Sequence, residues 1–79
     1  MSEVKDKLKR FIEDDVLFGE GTVTDDEELI GNILDSLALL QFVEFIESEF
    51  GIEVVDEDMI PEHFKTIDAV DSYVSGRLS

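Results

Sequence analysis

Cysteine and tryptophan are absent from this chain of 79 residues, and proline occurs once. Without cysteine, neither disulfides nor thiolate metal ligands can stabilise the fold. One apolar core must therefore suffice, and the chain is near the smallest size at which it does. No apolar run approaches the length of a membrane-spanning helix, and the first residues lack the apolar core of a signal peptide. These absences predict a single cytoplasmic domain over residues 1–79 that does not associate with membranes.

Basic residues are scarce, since six Lys and Arg stand against 21 Asp and Glu, for a formal net charge of −15. Between Phe11 and Phe64 there is no Lys or Arg, whereas 17 Asp and Glu fall there. Such a segment repels nucleic acid and anionic membranes and attracts proteins with basic patches. Acidity also favours solubility, but solubility does not require a base-free segment of this length. The charge pattern therefore favours recognition of a basic protein partner.

Residues typical of catalytic sites are also few. His63 is the only histidine, and it lies in a proline-containing turn between Glu62 and Phe64, where a histidine is ordinarily a surface or helix-end residue. No glycine-rich phosphate loop is present, and the many carboxylates form no pattern typical of a cleft. The sequence does not support an enzyme.

A calcium loop is the one metal site that the acidic residues suggest. A loop counted from Asp26 would have Gly31 at its sixth position, as an EF-hand requires. However, Ile30 occupies a ligand position and Leu37 replaces the bidentate glutamate of the twelfth position. The pattern therefore fails, and no metal site is predicted.

The segment from Leu34 to Phe50 is the most apolar helical stretch of the chain. Asp35 and Ser36, two residue types that serve well as helix N-caps, stand at its start, and Gly51 is suited to end it. Its apolar positions follow a helical repeat; they are Leu39, Phe42, Val43, Phe45, Ile46 and Phe50. A helix this apolar contacts several neighbours, so we expect it to be central.

The other segments also predict helices and loops. A first amphipathic helix, which Ser2 can cap, ends near Phe18. A long loop then runs from Gly19 to about Leu34, and a short helical turn is predicted within it at residues 26–30. Apolar residues are expected to pin this loop to the core; they are Val23, Leu29, Ile30, Ile33 and Leu34.

After the central helix, residues 51–55 are predicted to be an extended connector. Asp56 can cap a short helical segment at residues 57–60, and Pro61 either interrupts it or begins a second turn. Thr66 is expected to cap the last helix, whose buried stripe is Ile67, Val70 and Val74.

Ser36 has two interpretations from the residues alone. It can be an ordinary helix-capping serine. It can also carry a phosphate ester, because backbone N–H groups and the helix dipole favour negative charge at a helix N-terminus. Both interpretations are open at this point.

The tetrapeptide Leu34-Asp35-Ser36-Leu37, about midway along the chain, resembles the attachment motif of acyl carrier proteins and of the related peptidyl and aminoacyl carrier proteins. The resemblance covers nearly the whole chain: the first amphipathic helix, the long loop, the central helix, the connector and the last helix are in family order. It implies an all-α, small four-helix bundle with a short third helix and a long loop between helices 1 and 2.

The resemblance also implies a function. Ser36 would receive 4′-phosphopantetheine from coenzyme A through a Mg²⁺-dependent phosphopantetheinyl transferase, which makes the chain a phosphoprotein. The thiol of that arm would carry acyl or aminoacyl groups as thioesters. The further partners would be an acyl- or aminoacyl-activating ligase and a downstream synthase or transferase of fatty acid, polyketide or nonribosomal peptide biosynthesis. We expect a monomer.

Individual roles follow from the same resemblance. Asp35 would cap the helix and help to position the transferase. The partner-binding surface would comprise Leu37, Leu40, Gln41, Glu44 and Glu47. For Leu37 and Leu40, ordinary core packing is an equal alternative.

Two departures from the pattern of fatty-acid carriers concern the subtype. Those carriers usually have an acid two residues after the modified serine and a glutamate five after it, where this chain has Ala38 and Gln41. A dedicated, free-standing carrier is therefore favoured over the general fatty-acid carrier. Phe42 and Phe45 are expected to fill the bundle, so that a small cargo stays outside. The alternative function is an unmodified acidic helical module that binds a basic protein.

Overall fold

A computed structural model describes residues 3–78 and shows an all-helical chain in that range. Four α-helices follow one another: α1 (Glu3–Phe11), α2 (Ser36–Phe50), α3 (Pro61–Phe64) and α4 (Ile67–Leu78). A π-helical turn, Ile12–Val16, extends α1, and a 3₁₀ turn, Asp56–Asp58, precedes α3. This is the predicted four-helix bundle with a short third helix and a long loop after the first.

The ends of α2 are set by local signals. The carboxylate of Asp35 accepts a hydrogen bond from the backbone N–H of Ala38 at 2.8 Å, so Asp35 is the N-cap. At the other end Gly51 has a left-handed backbone with φ of 66°, and its N–H donates to the carbonyl of Glu47. Glycine adopts this conformation without the steric cost that a Cβ brings. The central helix therefore begins at Ser36 and ends at Phe50.

The core lies where α2, α1 and α4 meet. Side chains from every α-helix and from the connecting segments are buried in it: Leu8, Ile12, Val23, Leu29, Leu34, Phe42, Val43, Ile46, Val54, Phe64, Ile67, Val70 and Val74. Phe11 of α1 stacks on two rings of α2, at 5.8 Å from Phe42 and 4.5 Å from Phe45. As expected, the rings of Phe42 and Phe45 occupy space between the helices.

The loop between the π-helical turn and α2 is held by the end of the chain. The N–H of Leu29 donates to the carbonyl of Lys65 at 2.7 Å, and the N–H of Asp68 donates to the carbonyl of Asp25 at 3.0 Å. The predicted helical turn at residues 26–30 is wrong, because the backbone N–H of Leu29 is directed to a distant segment instead of to a local carbonyl. The prediction that apolar residues pin the loop is confirmed, since Val23, Leu29 and Leu34 are buried.

Two predicted caps have different outcomes. Thr66 caps α4, since its hydroxyl oxygen accepts a hydrogen bond from the N–H of Ala69 at 3.0 Å. The predicted capping role of Asp56 is wrong, because Val55 is the residue before the 3₁₀ turn and Asp56 begins it. Ser2, the predicted cap of α1, lies outside the described residues. None of the helices within residues 3–78 is long and apolar enough to cross a membrane.

Candidate functional site

Ser36 is the first residue of α2 and is exposed. Asp35 provides the cap, so the interpretation of Ser36 as the capping residue is wrong. The serine side chain therefore does not carry the hydrogen bond that holds the start of the helix, and its hydroxyl is accessible at the surface.

The electrostatic surroundings of Ser36 suit a phosphate ester. The N-terminus of a helix presents backbone N–H groups and the positive end of the dipole, and both stabilise a nearby anion. The first turn of the 15-residue α2 contains no acidic residue. Asp35 adds one negative charge just before the helix, and its carboxylate is already bonded to the N–H of Ala38.

Two surface grooves flank Ser36. The first, which we call the loop groove, has a volume of about 280 Å³ and is lined by Ile30, Gly31, Leu34, Asp35, Ser36 and Leu39. The second, which we call the Phe18 groove, has a volume of about 260 Å³ and is lined by Asp15, Val16, Phe18, Ile33, Asp35, Leu37, Ala38 and Gln41. Asp35, the residue before Ser36, contributes to both grooves.

The predicted partner-binding residues of α2 are mostly at the surface. Leu37 is 66% exposed and Leu40 is 52% exposed, so the alternative that they pack in the core is wrong. Gln41 and Glu44 are exposed as well. With spacings of three and four residues, these side chains share one face of the helix.

Glu47 differs from the other predicted partner-binding residues. It is half-buried, and its carboxylate accepts a hydrogen bond from the backbone N–H of Val54 at 2.8 Å. This bond holds the connector after α2 against the helix, so the side chain of Glu47 has a structural partner within the chain.

His63 lies in α3 and contacts α4. Its ring centroid is 4.8 Å from that of Tyr73, whose hydroxyl donates to the carboxylate of Asp58 at 2.8 Å. Burial and this carboxylate together raise the pKa of Tyr73 above its ordinary value. Within residues 3–78, no group of three or more histidine or acidic side chains is placed to hold a metal ion.

Phe18 is the residue near the site that sequence reasoning missed. Its side chain is 80% exposed and its backbone φ is +55°. In the sequence it only marked the end of the first helix. The available signal was its position directly before Gly19, since a large apolar residue is unusual in a glycine-containing turn.

The chain is 35% identical over 77 residues to the acyl carrier protein of Thermotoga maritima, in an alignment that covers 96% of this chain and 93% of that protein. A chain in a crystal structure described as that of an FAD-dependent dehydrogenase has a TM-score of 0.74 and 25% identity. That match covers 85% of this chain and 97% of the other. No protein-family model matches the sequence.

Proposed function

This chain belongs to the acyl carrier protein family, and on that basis we propose that it carries acyl or aminoacyl groups as thioesters on 4′-phosphopantetheine attached to Ser36. The observation that carries the proposal is the exposed hydroxyl of Ser36 at the first position of α2, directly after the capping Asp35. When bound, phosphopantetheine supplies the thiol on which the cargo is held.

The residues around Ser36 fit such a group. Ser36 provides the oxygen that forms the bond to phosphorus, and the N-terminus of α2 stabilises the negative charge of the resulting phosphodiester. In that transfer the pyrophosphate bond of coenzyme A breaks, adenosine 3′,5′-bisphosphate leaves, and a base of the transferase takes the hydroxyl proton. Asp35 keeps the first turn of α2 in place during the attack through its bond to Ala38.

The loop groove provides a surface for the arm close to its attachment point. Its lining includes the apolar side chains of Ile30, Leu34 and Leu39. Gly31, which has a positive φ of 86°, also lines it, and nothing lies within 4 Å of where its Cβ would be. Contact with these residues would shield the apolar part of the arm from water.

We further propose a dedicated, free-standing carrier of a small cargo instead of the general fatty-acid carrier. Ala38 and Gln41 stand at two positions near Ser36 where fatty-acid carriers usually have acidic residues. This surface therefore has two fewer negative charges than in those carriers. The stacked rings of Phe11, Phe42 and Phe45 occupy the space between α1 and α2. A cargo on the arm therefore stays at the surface, where partner enzymes reach it directly.

The partners that this function requires are proteins. They are the phosphopantetheinyl transferase, an acyl- or aminoacyl-activating ligase, and a downstream synthase or transferase. An exposed stripe on α2 suits docking to a partner protein whose contact surface is rimmed by basic residues. The stripe comprises Leu37, Leu40, Gln41 and Glu44. We propose a cytoplasmic monomer of one domain whose reactions are catalysed by these partners.

The decisive experiment measures the intact mass of the protein after incubation with coenzyme A, Mg²⁺ and a broad-specificity phosphopantetheinyl transferase. We expect the mass to rise by one phosphopantetheine group. The matched control is Ser36→Ala, which should stay unmodified and folded because Asp35 retains the cap. A folded wild-type protein that gains no mass would contradict the proposal and favour the unmodified acidic binding module.

A further inference from the structure

Phe18 lies in a turn whose backbone does not favour phenylalanine. Phe18 and Gly19 have φ of 55° and 76°, and the carbonyl of Leu17 accepts a hydrogen bond from the N–H of Glu20 at 2.9 Å. Two successive positive φ values inside such a bond are typical of a type I′ turn, whose first central position favours asparagine or glycine. A bulky side chain with positive φ is uncommon and strained.

Packing does not account for this residue either. Because Phe18 is 80% exposed, its side chain gains little from burial. The fold therefore carries both a backbone strain and an exposed ring at this position. Departures of this kind from local rules are expected at functional sites.

The ring of Phe18 shares a groove with a second exposed apolar residue. Leu37, 66% exposed, lines the Phe18 groove from the start of α2. Val16 and Ile33, which are half-buried, also line it. The lining of the groove thus combines two half-buried and two exposed apolar side chains from different segments of the chain.

The charges at the groove are of one sign. Asp15 and Asp35 line it, and neither Lys nor Arg does. This arrangement repels nucleic acid and anionic lipid. It complements a protein surface on which an apolar side chain is flanked by Lys or Arg.

The position of the groove indicates which basic partner protein would contact it. Its lining includes Asp35 and Leu37, the two neighbours of Ser36. An enzyme that acts on the hydroxyl of Ser36 must approach both neighbours, whereas an enzyme that acts at the end of the arm need not. We propose that Phe18 and Leu37 together contact an apolar side chain of the phosphopantetheinyl transferase, with basic residues of that enzyme paired to Asp15 and Asp35. This inference rests on the proposed function.

The test compares Phe18→Asn with the wild type in a steady-state assay of phosphopantetheine transfer. Asparagine fits the turn better than phenylalanine, so the melting temperature should stay equal or rise. Loss of a central apolar contact should lower kcat/KM about fivefold to tenfold, mainly through a higher KM. Leu78→Asn is the matched control, since Leu78 is an exposed apolar residue at the end of α4, 49% exposed, and it should change neither quantity.

A double-mutant cycle tests the shared contact. If Phe18 and Leu37 touch the same side chain of the transferase, the two substitutions Phe18→Asn and Leu37→Asn should not act independently on kcat/KM. The fold-loss of kcat/KM in the double variant should then be smaller than the product of the two single fold-losses. Effects that simply multiply would overturn the shared contact.

Other outcomes separate this inference from the proposed function. A wild-type protein that the transferase does not modify would overturn both. Normal modification of the wild type with an unchanged kcat/KM in Phe18→Asn would overturn the docking contact alone. A lower melting temperature in both Phe18→Asn and Phe18→Gly would show that Phe18 is structural, and would also overturn it.

Discussion

The ammonium group of Lys9 lies 2.8 Å from the carboxylate of Asp25, across 16 residues of chain. Lys5 reaches the same carboxylate at 3.3 Å and the carboxylate of Asp68 at 2.7 Å. Lys5 and Lys9 thus connect α1 to the long loop, and Lys5 also connects α1 to the start of α4. Lys5 and Lys9 therefore have a structural role in holding the loop that leads to Ser36.

The first prediction concerns pH. Lys9 and Lys5 lower the pKa of Asp25 below its ordinary value of 3.8, and hydrogen bonds to Asp25 and Asp68 raise the pKa values of Lys9 and Lys5 above 10.5. A lowered carboxyl pKa stabilises the fold above the unfolded-state pKa, and this stabilisation is lost as the pH falls through the folded-state pKa. The lysines, whose pKa values are raised, stabilise the fold at pH values below 10.5. This stabilisation is lost as the pH rises through their folded-state pKa values.

Asp25→Asn should therefore be less stable than the wild type at neutral pH, and the difference should shrink as the pH falls below 3.8. Thermal unfolding at a series of pH values measures it. The variant keeps the backbone carbonyl that accepts from Asp68, so it changes the side chain alone. Asp26→Asn is the control with the same change of charge, and an equal loss of stability there would refute the specific role of Asp25.

The second prediction separates Asp35 from Ser36. Asp35→Ala removes the hydrogen bond to Ala38 and should lower the free energy of unfolding by about 0.5–2 kcal/mol. Ser36→Ala should lower it much less, because Ser36 is inside the helix and exposed. Chemical denaturation of both variants checks this, and equal losses would indicate that Ser36 also supports the helix end.

The third prediction concerns the aromatic interior. Phe42 is completely buried and stacks on Phe11, so Phe42→Ala should lower the free energy of unfolding by about 3–5 kcal/mol. Leu40→Ala, on the exposed face of the same helix, is the control and should cost far less. If Phe42→Ala costs under about 1 kcal/mol, the interior is less tightly filled than the ring contacts indicate.

The fourth prediction concerns salt. A net charge of −15 destabilises the compact state through self-repulsion, which added ions screen. Salt or Mg²⁺ should therefore raise the melting temperature, although it also weakens the lysine pairs of Asp25. Scanning calorimetry at increasing ionic strength tests the balance; a melting temperature that stays flat or falls would show that the attractive pairs dominate.

Local signals explain which parts of the structure the sequence predicts. The bounds of α2 follow from Asp35 and Gly51, and its buried face follows from the spacing of Phe42 and Ile46. These residues act on neighbours within one or two helical turns, so their effect can be inferred without the tertiary structure.

Long-range contacts explain what the sequence does not predict. The conformation at Leu29 depends on a carbonyl of Lys65, 36 residues further along the chain, and no local pattern shows that bond. The choice between Asp35 and Ser36 as the cap needs backbone geometry, because both types are good caps. The exposure of Phe18 depends on where its turn lies relative to α2.

The hydrogen bonds from Leu29 to Lys65 and from Asp68 to Asp25 have a consequence for biosynthesis of the protein itself. A ribosome releases the loop and Ser36 long before it releases residues 65–68, and domains fold as units once their parts are available. In a nascent chain the loop before α2 therefore lacks these two hydrogen bonds, and the structure around Ser36 is complete only after synthesis has passed α3.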